Sequence, residues 1–422
     1  MALALNDLAP LYQAGTPKGI TSVCSAHPLV LRAALRHGRE TGATVLIEAT
    51  CNQVNHKGGY TGMKPADFAA MVFDLAGDEG CPRDQIILGG DHLGPNPWRD
   101  LPAETALDEA CQMVEAYVAA GFRKIHLDAS MGCAGEPVAL DDEATARRAA
   151  MLAGAAEAAA RDAGLEPVQY IIGTEVPPPG GADHTLTTIE PTSPEAAAKT
   201  LAVHREVFKA EGLGEVLSRV IGLVVQPGVE FGNRNVIFYD AAKARALTGV
   251  LDRETNVVFE AHSTDYQGVT PLSALVRDGF PILKVGPELT FVLREALYAL
   301  DLVASDLVAG YGARPLYAAM EALMQDRPEN WARHYHGSDA DLRFLRHYSL
   351  SDRIRYYWAT DAAIEAVARL LDALRGVSVP LPLLWQHLPW AADLAGEPLN
   401  PEEVLIRRVT DSLSTYHAAC GT

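Results

Sequence analysis

One repeated pattern constrains the fold of this 422-residue chain more than any other feature. A short β-branched or apolar run ends in polar residues, and an Ala/Leu-rich segment with helical periodicity follows it. The eight runs span 19–27, 43–53, 85–92, 124–130, 168–175, 220–226, 256–262 and 280–286. Eight tandem βα units predict an α/β fold of the TIM (β/α)8 barrel type rather than an open doubly wound sheet. No glycine-rich phosphate loop follows any run to favour a nucleotide-binding fold.

The strand pattern does not return after Thr290, and the rest of the chain reads as helices broken by loops. Five prolines crowd its later part, and no flexible Gly/Ser linker separates it from the preceding units. We therefore expect two parts, a catalytic barrel over 1–300 and a helical extension over 301–422 that packs on it.

Charge and composition exclude several classes of protein. Lys and Arg total 35 against 54 Asp and Glu, a net charge of −19, so there is no basic field for a nucleic acid or an anionic membrane. The start lacks the basic region of a signal peptide, and no apolar run reaches the ~18 residues of a membrane helix. Six scattered cysteines without C-x-x-C spacing fit reduced thiols. These features predict a cytoplasmic protein.

The carboxyl ends of the eight runs are unusually polar, and in a barrel these ends form the active-site face. Each residue alone has a structural interpretation; Lys284, for example, could simply pair with Glu48 inside the barrel. The convergence of acid, imidazole and amide groups on one face favours a functional site. These residues are Ser25, His27, Glu48, Gln53, Asp91, His92, His126, Asp128, Ser130, Glu175, Gln226, Glu230, Glu260, His262 and Lys284.

Two of these residues suggest a metal site. His92 and His262 end the third and seventh runs, on walls that face each other across a barrel mouth. Together with Gln226, Glu175 or Glu230 they would form a mixed nitrogen and oxygen site for Zn²⁺, or for Mn²⁺ or Co²⁺ if oxygen ligands dominate. The ligands are dispersed along the chain, so this expectation depends on the barrel.

Nine segments carry a family resemblance that spans nearly the whole chain. They are SVCSAHPLV (22–30), LIEATCNQVNHKGGYTGM (46–63), ILGGDHLGPNPW (87–98), KIHLDASMGCAG (124–135), IGTEVPPPGG (172–181), VVQPGVEF (224–231), EAHSTDYQ (260–267), LKVGPELTF (283–291) and YSLSDRIRYYW (348–358). Together they resemble the Z-subunit family of D-tagatose-1,6-bisphosphate aldolase.

The resemblance implies a TIM barrel similar to class II aldolases. Family members are described as non-catalytic aldolase subunits or as tagatose 6-phosphate kinases, and some are implied to be C4-epimerases of ketohexoses or their 6-phosphates. The sequence contains no phosphate loop or kinase motif that would support the kinase description. By resemblance, Asp91 would be the acid/base, and His92 and His262 would be metal ligands. Gln226 stands where a catalytic class II aldolase would offer a further His.

The C4 hydrogen of a 2-ketose is β to the carbonyl and not acidic, so we expect inversion at C4 to proceed by retro-aldol cleavage and re-addition. Asp91 and Glu175 are the expected carboxylates, one for each face of C4, although Glu175 could instead be a fourth ligand. Asp128 is a further catalytic candidate. Candidates for binding the sugar are Glu48, Gln53, Ser130 and Lys284.

Other functions stay open at this point. Release of the aldehyde would make the enzyme a plain aldolase, and a Schiff base on Lys284 is a further route. A barrel that stabilises a catalytic aldolase subunit without turnover belongs to a different class. We also expect a homo-oligomer that binds a ketose phosphate. Its phosphate would meet Ser351, at the start of a predicted helix, and Arg353, unless that segment is merely a capped surface helix.

Overall fold

A computed structural model describes residues 3–173 and 189–421. Eight parallel strands close into a barrel in chain order, which confirms the predicted fold. Strand β8 closes the ring by pairing with β1, from Ile20 opposite Ile282 to Val23 opposite Val285. The strands are β1 (Ile20–Cys24), β2 (Val45–Thr50), β3 (Ile86–Leu93), β4 (Lys124–Leu127), β5 (Gln169–Ile172), β6 (Val220–Val224), β7 (Val258–Ala261) and β8 (Ile282–Val285).

Helices follow the strands and cover the outside of the barrel. Side chains cap several of their starts: His27, Asp141, Ser193 and Asp240 each accept a backbone N–H group from the first turn. The helices through the end of the eighth unit are α1 (Leu8–Gln13), α2 (Pro28–Thr41), α3 (Pro65–Glu79), α4 (Ala103–Ala119), α5 (Asp142–Asp162), α6 (Pro194–Ala210), α7 (Ala241–Thr248), α8 (Val269–Arg277) and α9 (Pro287–Leu307).

The amino-terminal end of the barrel is closed by apolar packing. Leu5 and Leu8, from the short 3₁₀ turn and helix at the start of the chain, pack against Ile20, Leu46 and Ile282 near the strand starts. Polar groups inside the barrel are therefore reached from the carboxyl ends of the strands, where barrel enzymes place their active sites.

The remaining helices are α10 (Pro315–Asp326), α11 (Asp339–Tyr348), α12 (Asp361–Leu374), α13 (Leu381–His387) and α14 (Pro401–Cys420). Helix α14 packs between α2 and α8, contacts α9 and touches β1. At its end, Gly19 N–H donates to the carbonyl of Cys420 at 2.8 Å. Residues after 300 thus contact the first barrel unit directly, while the division at residue 300 stays a prediction.

The segment 348–358 differs in detail from the helix expected there. A 3₁₀ helix spans Arg353–Tyr357, and Asp352 rather than Ser351 precedes it, with a φ of 44°. Ser351 instead bonds with Ser349 at 2.9 Å and donates to Asn233 at 3.0 Å. No helix in the described part of the chain is long and apolar enough to cross a membrane.

Candidate active site

Three imidazoles and one carboxylate meet at the carboxyl ends of β3, β4 and β7. The ring of His92 lies 4.8 Å from that of His126 and 4.9 Å from that of His262, centroid to centroid. With Asp91, each residue offers one ligand atom, and these atoms all lie within 4.8 Å of one another. All four side chains are buried. The structure therefore brings together the expected Asp91, His92 and His262, and it adds His126.

His92 has an unusual backbone conformation. Its φ is 50°, a left-handed geometry that costs a non-glycine residue on the order of 1–3 kcal/mol. Two contacts hold it: its backbone N–H donates to His126 Nδ1 at 3.2 Å, and its own Nδ1 lies 2.8 Å from Asp128 Oδ2. Such strain is typical of functional sites, and here it aims the imidazole of a strand-end residue into the cluster.

Two histidines of the cluster are each oriented by a buried carboxylate. His92 Nδ1 meets Asp128, and His262 Nε2 lies 2.8 Å from Glu260 Oε1. Metal-binding histidines in proteins typically donate their second N–H to a carboxylate in this way. Burial raises the pKa of Asp128, but the hydrogen bond with His92 and the electrostatic interactions with the neighbouring histidines together outweigh burial and lower the pKa to about 2. Asp128 therefore stays ionised and fixes the tautomer of its partner.

His126 is held in the neutral form with its proton on Nε2. Nε2 lies 3.0 Å from the Gly173 carbonyl, which can only accept, and Nδ1 accepts the N–H of His92. Burial lowers the pKa of His126. Nδ1 also lies 3.1 Å from Asp91 Oδ1. This contact fixes the position of the Asp91 carboxylate beside the three imidazoles.

Beneath the histidines lies a buried network of ion pairs. Lys124 Nζ lies 2.6 Å from Glu48 Oε1 and 2.7 Å from Glu260 Oε2. Lys284 Nζ contacts Asp91 and lies 3.3 Å from Glu48 and 3.7 Å from Glu260. The expected contact between Lys284 and Glu48 is present, and it forms part of this larger network.

A glycine on β3 makes the network possible. Gly89 pairs in register with Glu48 of β2 on one side and with Lys124 of β4 on the other. A Cβ at this position would lie 2.7 Å from Glu48 Cγ. The missing side chain lets groups from β2 and β4 meet across the intervening strand.

The lysines of the network stay protonated. Burial lowers the pKa of Lys284, but the carboxylates of Asp91 and Glu48 outweigh it and hold the pKa well above its usual range. Burial raises the pKa of Asp91, but His92 and Lys284 hold it well below its usual range. A Schiff base requires a neutral amine, so this environment does not favour a Schiff-base reaction at Lys284.

The charges of the connected groups suit a divalent cation. The network and cluster contain four carboxylates (Glu48, Asp91, Asp128, Glu260) and two ammonium groups (Lys124, Lys284), which leaves −2 with neutral imidazoles. All six are buried. Buried charges are costly unless they are paired or bind a metal. A divalent ion among the three imidazoles would bring the balance to zero, so the donor set and the charge both fit such an ion.

Two of the expected metal ligands, Gln226 and Glu230, hold backbone N–H groups of their own loop. Gln226 Oε1 accepts the backbone N–H groups of Gly228 at 2.8 Å and Val229 at 3.0 Å, so its oxygen holds its own loop. Glu230 Oε1 accepts the N–H of Phe231 at 2.9 Å. Glu175 lies outside the described residues, and its role stays a prediction. Among the described residues, the third imidazole comes from His126 rather than from the sixth strand.

A cavity of about 930 Å³ opens above the cluster. Asp91, His92, Asp128, His262 and Lys284 line it together with the expected Gln53, whose Oε1 accepts the N–H of Thr50 at 3.0 Å. Ser130 donates to Asp128 at 3.4 Å. Within the described residues, Ser351 and Arg353 do not line the cavity, whereas Arg355 does.

Comparison with known proteins identifies the family. The sequence model of the D-tagatose-1,6-bisphosphate aldolase subunit GatZ/KbaZ-like proteins matches residues 5–421. The chain belongs to this family. The resemblance inferred from its motifs is therefore confirmed, and it extends over both the barrel and the helices after it.

Two relatives show how close the likeness within the family is. The chain is 60% identical over 424 residues to a D-tagatose 6-phosphate 4-epimerase of Agrobacterium fabrum (strain C58 / ATCC 33970), with 100% of this chain and 99% of the relative covered. It is 50% identical, with a TM-score of 0.88, to the crystal structure of a probable tagatose 6-phosphate kinase from Sinorhizobium meliloti 1021, covering 96% of this chain and 100% of that one. The GatZ/KbaZ-like fold is thus shared over nearly the full length.

Proposed function

We propose that this GatZ/KbaZ-like protein is a metal-dependent enzyme that interconverts D-tagatose 6-phosphate and D-fructose 6-phosphate by epimerisation at C4. The 60% identical relative is named for this activity. The observation that carries the proposal is Asp91, a buried carboxylate that contacts both Lys284 and His126 and lines the cavity beside three imidazoles.

The chemistry requires a group that can take and return one proton. A base removes the C4 hydroxyl proton, the C3–C4 bond breaks, and its electrons pass to the C2 carbonyl to give an enediolate and an aldehyde. The aldehyde turns over its face, the C3–C4 bond re-forms, and the C4 oxygen recovers a proton. No hydrogen bound to carbon is removed, so no strong base is needed.

Asp91 is our choice for this proton transfer. The ammonium of Lys284 stabilises its carboxylate form, which is the form that takes the C4 hydroxyl proton. Asp91 lines the cavity, so the same group can return the proton when the C3–C4 bond re-forms. Glu175 stays our proposal for the second face of C4, and Asp128 acts by orienting His92.

His92 and His262 would hold the cation, and the ring of His126 lies beside them. When bound, the ion would polarise the C2 oxygen and stabilise the charge of the enediolate. Imidazole donors favour Zn²⁺, and Mn²⁺ or Co²⁺ would suit a set with more oxygens. Gln53 and Lys284 line the cavity, where they would orient the sugar hydroxyls, whereas the expected Glu48 and Ser130 are not among its lining residues.

The test uses the purified protein alone with D-tagatose 6-phosphate. We expect D-fructose 6-phosphate to form, EDTA to abolish its formation, and added Zn²⁺, Mn²⁺ or Co²⁺ to restore it. Asp91→Asn should keep its metal and lose ~10²-fold or more in turnover, the usual weight of acid/base catalysis. His92→Ala should lose metal and activity together. His204→Gln, which alters a buried histidine on the outer helix α6, is the matched control.

Four results would contradict the proposal. Activity that survives EDTA would show that turnover needs no metal. Full metal content in folded His92→Ala would show that His92 is not a metal ligand. Release of triose phosphates from D-tagatose 1,6-bisphosphate without epimerisation would make the protein an aldolase. Turnover only after addition of a second aldolase subunit would favour the non-catalytic stabilising role.

A further inference from the structure

The cavity contains few cations that could meet a phosphate group. Among its described lining residues, the lysine and arginine side chains are Arg99, Lys284 and Arg355. Lys284 is engaged by Asp91 and Glu48, and Arg99 is exposed at the rim. Arg355 is half-buried, and no carboxylate of the described residues pairs with its guanidinium. In a chain of net charge −19, a half-buried arginine without an acidic partner is a natural anion-binding group.

The Arg355 side chain is fixed in place by neutral groups. Nη1 donates to the carbonyl of Ser351 and, at 3.2 Å, to that of Asp352, and Nη2 donates to the hydroxyl of Tyr356 at 2.9 Å. The guanidinium also lies 4.4 Å from the centroid of the Tyr356 ring. A guanidinium has five N–H donors, so these contacts leave two for a ligand. A preordered fork of this kind suits the oxygens of a phosphate.

Backbone donors at two helix starts beside the cavity are already used. Barrel enzymes often bind phosphate at the helix that follows the last strands. Here Asp265 Oδ1 accepts the N–H groups of Gly286 at 3.0 Å and Glu288 at 2.8 Å, at the start of α9. At the start of α2, His27 Nδ1 accepts the N–H of Leu29 at 3.2 Å. The chain's own side chains thus occupy the places where an anion would otherwise bind.

We propose that Arg355 binds the phosphate of the sugar, a phosphomonoester dianion, and so selects phosphorylated ketoses over free ones. The identity of the sugar in this inference rests on the proposed function. The binding of an anion at Arg355 rests on the cavity alone. It moves the expected phosphate contact from Arg353 to Arg355. Arg353 Nε donates to the carbonyl of Asn330 instead, within the helical region.

The two arginines form a matched pair for the experiment. We expect Arg355→Met to raise KM for D-tagatose 6-phosphate by roughly 10- to 100-fold, the effect of losing hydrogen bonds to a charged group, with a much smaller change in kcat. Arg353→Met should change KM less than twofold and lower the melting temperature. Calorimetric titration of the metal-loaded proteins with inorganic phosphate should show binding by the wild type and by Arg353→Met, and none by Arg355→Met.

The titration separates this proposal from the proposed function. Loss of phosphate binding in Arg355→Met supports the site even if no epimerase activity is found. Unchanged phosphate binding in that variant overturns the site, even if epimerisation is confirmed. Equal losses in kcat and kcat/KM without a change in KM would also overturn it, because Arg355 would then act only through the shape of the site.

Discussion

Removal of the Lys124 ammonium should cost more stability than any surface change to this barrel. Lys124 is fully buried and lies within 2.7 Å of carboxylate oxygens on both Glu48 and Glu260. Burial lowers the pKa of Lys124, but these two carboxylates outweigh it and raise the pKa, so the group is charged when folded. Lys124→Met keeps the volume of the stem and leaves two buried carboxylates with only the more distant Lys284.

The magnitude follows from the geometry. Breaking a buried pair by removing one partner typically costs ~3–5 kcal/mol, because the other charge is left uncompensated. Lys284 lies 3.3 Å from Glu48 and 3.7 Å from Glu260, so it offsets part of the loss. We therefore expect Lys124→Met to lose ~3 kcal/mol. Glu48→Gln alone should lose less, since it removes a negative charge from a network whose balance is already −2.

The double variant Glu48→Gln/Lys124→Met provides the decisive measurement. It removes one charge of each sign, so its loss should fall short of the sum of the single losses by ~0.5–3 kcal/mol, the usual range for residues in contact. The free energy of unfolding in urea, measured for all four proteins at one ionic strength, gives this coupling. Additive losses would refute the reasoning, because they would mean that Lys124 stabilises the barrel by packing and not by its charge.

Two further predictions concern Glu260 in the barrel interior and His347 on helix α11. Glu260→Gln should weaken metal binding by ~10–100-fold in a chelator competition, because Glu260 orients His262. Glu48→Gln is the control, because Glu48 pairs with lysines and with no histidine of the described residues. Equal weakening in both variants would contradict this role of Glu260. Burial lowers the pKa of His347 to about 4, so the histidine takes up a proton in the unfolded chain at a higher pH than in the folded protein. The free energy of unfolding should therefore drop by up to roughly 3 kcal/mol between pH 6.5 and 4. Urea unfolding of His347→Gln should show a shallower loss, and an unchanged pH slope would exclude His347 as the source.

The barrel could be predicted because its signal is local and repeated. Each strand run carries its own β-branched residues and turn, and eight repeats fix the closure without any knowledge of contacts. The strand ends also carry a local signal, since His126, Asp128 and Ser130 follow one another at a spacing of two along and beyond β4. The same spacing extends back to Lys124, but a lysine at the start of a strand usually faces water, so the sequence does not predict its burial.

Contacts between distant strands could not be predicted in this way. The role of Gln226 depends on whether its oxygen turns toward the cluster or toward its own loop, and the loop N–H groups of Gly228 and Val229 decide this. The choice between Arg353 and Arg355 has a similar cause. Asp352 adopts a left-handed conformation and starts a five-residue 3₁₀ helix, so the face that meets the cavity is not that of an α-helix.

A series of buried ion pairs connects the interior of this barrel to the groups of the proposed active site. TIM barrel interiors are usually filled with branched apolar side chains. Here Lys124 joins Glu48 and Glu260, Glu260 in turn holds His262, and Lys284 joins the same carboxylates to Asp91. Each buried charge is tolerated only because the next one compensates it. Buried residues that do not line the cavity, Lys124, Glu48 and Glu260, therefore help to set the protonation states of the groups that do. A site of this kind requires charged residues buried beneath it.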